Sequence, residues 1–269
     1  MRELVMLGTG SAMVTRCFNT TFYIQMDDGE IFLTDGGGGN GILSRLEFAG
    51  ADYSKLHHLF LTHGHTDHIL GVLWVVRKIA SLMNSGKYNG EFNIYTHDVA
   101  KDMLLTMSKL TLKKKDFDRV GDGIFIKEIK DGEELNILGM KLTAFDIEST
   151  KAKQFGYAIE FKDGLRLTCL GDEPYNKRTE KYAKGVDWLL SEAFCMYKDR
   201  DKFKPYEKNH STVKEASEIA EKLKVKNLIL YHTEDKDIEH RKENYTKEAK
   251  EYFKYGNVFV PDDLEVFAL

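Results

Sequence analysis

The chain has 269 residues, a formal net charge of −4, 42% apolar residues and 30% charged residues. That composition is ordinary for a globular protein with a substantial core. It excludes a global electrostatic attraction to nucleic acid, though not a local basic patch. Three scattered cysteines, Cys17, Cys169 and Cys195, form no CxxC pair and no disulfide framework, so a reducing cytoplasm is the expected setting. The opening Met1–Gly8 stretch lacks the long apolar run of a signal peptide, and no window is apolar enough to span a membrane. With three prolines and no Ser/Gly/Pro-rich linker, residues 1–269 are expected to form one domain.

The first part reads as β. Leu4–Leu7 is a short apolar run ending at Gly8-Thr9-Gly10-Ser11. Thr20–Met26 and Glu30–Thr34 flank an Asp27-Asp28-Gly29 turn. Asp35 and four glycines then require a tight turn. Gly41–Glu47 predicts a short helix, His57–Thr62 a strand, and Ile69–Met83 a helix with apolar residues at helical spacing. Asn93–Thr96 predicts a strand and Val99–Leu110 a helix. Strands are expected over Ile124–Ile129, Lys141–Asp146, Tyr157–Phe161, Leu165–Leu170 and Trp188–Ser191. Thr212–Leu223 predicts a helix, Asn227–Tyr231 a strand, and Tyr245–Phe253 a helix. Val258–Val260 and Leu264–Phe267 predict terminal strands. Many strands interleaved with long helices imply an α/β chain with helices on sheet faces. Asp35, His63, Asp172, Glu192 and His232 each follow a predicted strand, so strand ends meeting at one rim would bring them together.

Thr62-His63-Gly64-His65-Thr66-Asp67-His68 is the strongest chemical signal. Three imidazoles and a carboxylate suit zinc, manganese or iron better than a thiolate-selecting site does. His63 and His65 in an extended loop can point the same way. Asp67 and His68, at the turn into a helix, can face a neighbouring position. One loop could thus serve two metals about 3.5–4 Å apart. The plain alternative is a polar strand-to-helix loop with Asp67 as a helix cap. His57-His58 upstream is expected to be structural, as are the lone His97 and His240. The glycines after Asp35 are followed by no Lys-Ser/Thr, and Gly8-Thr9-Gly10 lacks a third spaced glycine, so neither nucleotide motif is met.

His-x-His-x-Asp-His after a strand is the signature of the metallo-β-lactamase superfamily. Leu7-Gly8-Thr9-Gly10-Ser11 with Asn19-Thr20-Thr21 resembles the opening of ribonuclease Z proteins, and Phe32-Leu33-Thr34-Asp35-Gly36 resembles their second motif. Gly171-Asp172, Ser191-Glu192-Ala193-Phe194, Asn209-His210-Ser211-Thr212 and Leu228–Thr233 resemble later motifs of that branch, in the same order. The resemblance implies a four-layer αβ/βα sandwich of two mixed sheets flanked by helices, holding one or two zinc ions, with manganese or iron as alternatives. His63 and His65 would hold the first metal, Asp67, His68 and His232 the second, and Asp172 would bridge. A metal-activated hydroxide, oriented by Asp67, would attack a phosphodiester. A Glu192–His210 pair would assist the leaving group, with Glu192 setting the tautomer of His210. Glu192 as a polar strand end, His210 as a helix cap, and Asp35 as either a turn residue or a partner to a ligand histidine are the competing readings.

Two departures from the branch stand out. Before Gly156-Tyr157 the family has a further ligand histidine; here Ser149 or Thr150 occupies its expected place. The first metal would then bind weakly, take water, recruit Glu148, or be absent. Tyr157 to Gly171 also leaves no room for the insertion that grips tRNA. The expected function is therefore a metal-dependent hydrolase, foremost a phosphodiesterase acting on RNA or a small nucleotide, cytoplasmic and without a membrane partner. A second copy of the chain, as a homodimer, is a further candidate partner. The alternatives are an ester, sulfate or lactam hydrolase on the same site, or a degenerate member that binds a nucleotide or RNA without cleaving it. Lys198–Lys204 with Phe203 or Tyr206 could meet a phosphate or base, or be a solvated loop; Lys113-Lys114-Lys115 reads as solvated.

Overall fold

The computed structural model describes residues 1–269. Strands β1 (Glu3–Gly8), β2 (Thr21–Gln25) and β3 (Ile31–Thr34) lead into helix α1 (Gly41–Phe48). Then come β4 (Leu56–Phe60), α2 (Thr66–Asn84), β5 (Phe92–Thr96), α3 (Asp98–Thr111), the single turn α4 (Lys114–Phe117) and β6 (Ile124–Glu128). The second half opens on β7 (Glu134–Ile137), β8 (Met140–Asp146), β9 (Phe155–Glu160) and β10 (Arg166–Cys169). It continues through α5 (Glu180–Ala183), β11 (Trp188–Glu192), α6 (Arg200–Phe203), α7 (Val213–Leu223), β12 (Asn227–Tyr231) and α8 (Ile238–Tyr252), ending with β13 (Asn257–Phe259) and β14 (Glu265–Ala268).

These strands make two seven-stranded mixed sheets, ordered β14-β1-β2-β3-β4-β5-β6 and β13-β12-β11-β10-β9-β8-β7. Alternation along each strand sends side chains to opposite faces. Leu4, Met6, Phe22, Ile24 and Phe32 of one sheet meet Leu142, Tyr157, Leu167, Leu190 and Ile229 of the other in a central core. Val5, Leu7, Tyr23, Leu33 and Leu59 face outward onto Ile42 and Leu46 of α1 and Val72, Val76 and Ile79 of α2. Leu189, Leu228 and Leu230 face Val213, Ala220 and Leu223 of α7 and Tyr245 and Ala249 of α8. The result is four layers, helix–sheet–sheet–helix, as expected for this fold class. No helix is long and apolar enough to cross a membrane.

Strand β7, the start of α8 and the single-turn helices α4, α5 and α6 depart from the sequence expectation. Strand β7 was not foreseen, because it is a four-residue edge strand in which Glu134 and Asn136 are exposed and polar. It closes on β8 through Leu138-Gly139, both at positive φ, the conformation a two-residue hairpin demands. Helix α8 begins at Ile238 rather than Tyr245. Its early inward residue is Arg241, not an apolar one. That guanidinium donates to Thr9 Oγ1 at 3.0 Å, Thr233 Oγ1 at 2.9 Å and the Pro261 carbonyl at 2.7 Å. It ties together the ends of β1 and β12 and the segment before β14.

The pairs β3–β4, β10–β11 and β11–β12 are parallel, so the loops after them emerge on one rim. The glycine loop after β3 lies directly on α2. A Cβ on Gly71 would sit 1.7 Å from the Gly36 carbonyl oxygen, so only glycine permits this approach. Backbone bonds from Gly36 N to His68 O (3.0 Å) and from Gly71 N to Gly37 O (2.8 Å) lock the start of α2 against the end of β3.

Candidate metal centre

The rim collects the candidate residues in the order the topology dictates. Asp35 follows β3, His63 follows β4, and His65 is the N-cap of α2. Asp67 and His68 occupy the first turn of α2, where a carboxylate also favours the helix dipole. Asp172 follows β10, Glu192 ends β11, and His232 follows β12 in the left-handed conformation (φ 57°). His210 lies just before α7.

Ligand-capable atoms gather in two triads, each within 4.8 Å: His63, His65 and Asp172, and Asp67, His68 and His232. Asp172 Oδ2 sits between them, 3.6 Å from His63 Nε2, 3.5 Å from His68 Nε2 and 3.6 Å from His232 Nε2. Asp67 Oδ2 lies 3.3 Å from His68 Nε2 and 3.6 Å from His232 Nε2. His68 Nε2 and His232 Nε2 are buried without hydrogen-bond partners. Buried polar atoms seldom go unpaired. Nitrogen atoms aimed at carboxylate oxygens fit divalent cations well, so the residues present suit a binuclear site.

Asp35 organises both triads. Its carboxylate accepts from Thr62 N at 2.8 Å, from Thr62 Oγ1 at 2.7 Å and from His68 Nδ1 at 2.7 Å. That contact orients His68 with Nδ1 toward Asp35, so that Nε2 would be the atom offered to a cation. Thr62 spends its own proton on Asp35, so its oxygen accepts from His63 Nδ1 at 3.0 Å. His63 Nε2 lies 2.8 Å from His65 Nδ1 and 3.6 Å from Asp172 Oδ2. Asp35 thus pairs with the candidate ligand His68, and its φ of 58° places it in the turn as well.

The electrostatics follow from burial and charge. Burial holds the His63 imidazole well below its usual range. Burial opposes ionisation of His68, but the carboxylates of Asp67 and Asp35 outweigh it and push His68 well above its usual range. Asp67 and Asp172 stay well below the usual carboxylate range despite burial. For Asp67 the chief reason is His68; for Asp172 it is His63.

Beside the triads, Glu192 is fully buried. Its Oε1 accepts from Ser211 N at 2.6 Å, and its Oε2 faces His210 Nδ1 at 3.5 Å. The His210 ring stacks on Phe194 (5.1 Å, 13°) and lies 5.0 Å from the His232 ring. His210 does not cap α7; Thr212 and Glu215 do, as a capping box. A cleft of about 380 Å³ opens over the triads, lined also by Met13, Lys151, Phe194 and Lys208.

Sequence reasoning missed several of these residues. The basic run Lys198–Lys204 does not line the cleft; Lys151 and Lys208 do. Ser149 does not fill the place of the absent histidine, because its hydroxyl bonds Glu173, and Glu148 is held outward by Arg178 at 2.5 Å. Gln154 is what reaches the centre. Its amide donates to Asp172 Oδ1 and lies 3.2 Å from His63 Nδ1. Its place immediately before Phe155-Gly156-Tyr157 was the available signal.

Fold and centre together define a metallo-β-lactamase-fold protein, similar in sequence to ribonuclease Z proteins. The ribonuclease Z of Thermococcus sibiricus is 27% identical over 315 aligned residues, covering 100% of this chain and 97% of that protein. The metallo-β-lactamase-fold protein YhfI from Bacillus subtilis superposes with a TM-score of 0.79 at 20% identity, covering 99% of this chain and 98% of that one. The short form of human tRNase Z superposes at 0.75 with 19% identity, covering 99% and 98%. Residues 2–258 match the family described as Anti-Pycsar protein Apyc1, and the chain belongs to that family.

Proposed function

We propose that this chain is a metal-dependent phosphodiesterase whose two metal positions are held by His63, His65 and Asp172 and by Asp67, His68 and His232, with Asp172 shared. The observation that carries the reading is the meeting of these two triads with a buried Glu192–His210 pair under one cleft. When bound, divalent ions there neutralise phosphoryl charge and lower the pKa of water from 15.7 to about 7. The nitrogen and oxygen donors suit zinc, with manganese or iron as alternatives. Asp67 orients the attacking water. His210 is placed to give a proton to the leaving oxygen, and Glu192, fixed by Ser211 N, orients the ring from 3.5 Å. Lys151 and Lys208 at the cleft give an anionic substrate a counter-charge.

The substrate is a phosphodiester of RNA or of a small nucleotide. A short turn, Phe161–Leu165, joins β9 to β10 where a tRNA-gripping insertion was not expected, which supports a compact substrate over tRNA. Residues 1–269 act as one hydrolase domain, since β14 completes the sheet that β1 begins. A cytoplasmic location agrees with three free cysteines. Homodimerisation belongs to the reading and is checked by molar mass in solution.

A substrate panel on zinc-loaded protein tests the proposal. Bis-p-nitrophenyl phosphate should turn over, and nitrocefin and aryl sulfate should not. His210→Ala should lose about 10²–10⁴ in kcat with zinc content unchanged. Turnover of nitrocefin or aryl sulfate alone would instead establish an ester, sulfate or lactam hydrolase. A metal-loaded protein that hydrolyses nothing would establish a binding protein.

A further inference from the structure

We infer that Gln154 makes the two metal positions unequal, so that the position at His63 and His65 binds its ion more weakly and is filled last. The inference rests on the metal reading above and concerns how this chain departs from a symmetric centre.

The Asp67 triad has two carboxylates within reach of His68 and His232, its own and that of Asp172. The His63 triad has Asp172 as its one carboxylate and two imidazoles beside it. Its remaining side is closed by Gln154, which is 1% exposed. Only the nitrogen edge of an amide can face a carboxylate, so Gln154 presents donors there and no lone pair for a cation. Its bond takes Asp172 Oδ1 out of play and leaves Oδ2 as the single oxygen among the three imidazoles.

The chain fixes Gln154 at that spot. Its carbonyl accepts from Ile147 N at 3.1 Å, and the next residue's N–H bonds the Thr62 carbonyl at 3.0 Å, tying it to the histidine loop. The intervening segment is drawn off elsewhere. Ser149 bonds Glu173, which also accepts from Asn209 at 2.9 Å, and Lys153 pairs with Asp98 at 2.6 Å. These bonds direct Ser149 and Lys153 away from the triad, while Lys151 lines the cleft above it. Gln154 is thus a positioning residue for Asp172 and an obstacle to a fourth protein ligand.

The test is stepwise zinc removal from full-length protein by a graded chelator, followed by zinc analysis, with melting of the metal-free form as a separate readout. Wild type should lose its two ions in two steps at least about tenfold apart in chelator strength. Gln154→His, which adds an imidazole to the poorer triad, should tighten the weaker step by about 10–100-fold and leave the tighter step in place. Gln154→Ala should weaken the ion pair's retention by a similar factor because Asp172 is no longer held. Simultaneous release of both ions from wild type would overturn the inference. So would Gln154→Ala lowering only the melting temperature of the metal-free protein while both steps stay put. Wild type that holds no zinc at all would overturn the metal reading and this inference with it.

Discussion

Strand β4 has histidines at both ends, and the two ends have opposite fates. At its start, His57 Nδ1 lies 2.8 Å from the Tyr88 hydroxyl and 3.0 Å from the Glu91 carbonyl. His58 Nδ1 lies 3.1 Å from the Tyr95 hydroxyl, with the two rings stacked. Past its end, His63 and His68 meet the carboxylates of Asp35, Asp67 and Asp172. Residue type is the same at both ends; the neighbours differ. Histidines settle as packing groups where tyrosine and backbone surround them. They become a candidate cation site where carboxylates from other strands converge on them. The deciding residues therefore lie far along the chain from the histidines.

Removing a carboxylate from the second end tests this account most severely. Asp172→Ala takes away the oxygen that three imidazoles share. Bound zinc should fall below one ion per chain, and phosphodiesterase activity by a thousandfold or more, since a catalytic metal supplies several kcal/mol. Replacing His57 and His58 together should leave the zinc content alone. Metal analysis of both purified variants would decide it; a full complement of zinc in Asp172→Ala would break the contrast.

A smaller effect is expected from Asp35→Ala, which keeps every ligand and strips their support. Thr62 N–H, Thr62 Oγ1–H and His68 Nδ1–H would all lose their acceptor. Zinc affinity should drop about 10–100-fold. The metal-free protein should lose about 1–3 kcal/mol for the buried groups left unpaired. Chelator titration and urea unfolding measure the two separately. A variant with wild-type affinity would mean that the histidines hold their tautomers without Asp35.

Much of this centre could be read from the chain because its ligands sit next to strand ends, and strand ends have strong signals. The run from His57 to Thr62, the helical spacing from Ile69, and the apolar Asn227–Tyr231 segment each place a following ligand on the rim. What escaped was of another kind. Gln154 carries no ligand signature, and its role exists only because Ser149 and Lys153 are pulled toward Glu173 and Asp98. Lys151 and Lys208 look like any other lysines until the fold sets them beside the triads. The start of α8 escaped because its buried residue is a charged one, Arg241, satisfied by partners from both ends of the chain. Local pattern reports periodicity and strand ends; it does not report which distant group will satisfy a buried polar atom.

The smallest predicted effect belongs to the quiet end of β4. Burial, with a minor contribution from neighbouring His57, pushes the His58 imidazole down to about 4. An unfolded histidine titrates near 6.5. Between those values the unfolded chain binds the extra proton and the folded one does not, so stability falls as pH drops from about 6.5 toward 4 and is unaffected above that window. The ring is partly exposed, so solvent screening trims the full linkage energy to about 1 kcal/mol between pH 7 and pH 5. His58→Phe keeps the stack on Tyr95 and cannot titrate. Urea unfolding of the metal-free proteins should show the variant losing less stability than wild type over that interval, by this amount. Parallel pH profiles would mean that His58 is as well solvated folded as unfolded. The two ends of β4 would then no longer differ in the way their neighbours dictate.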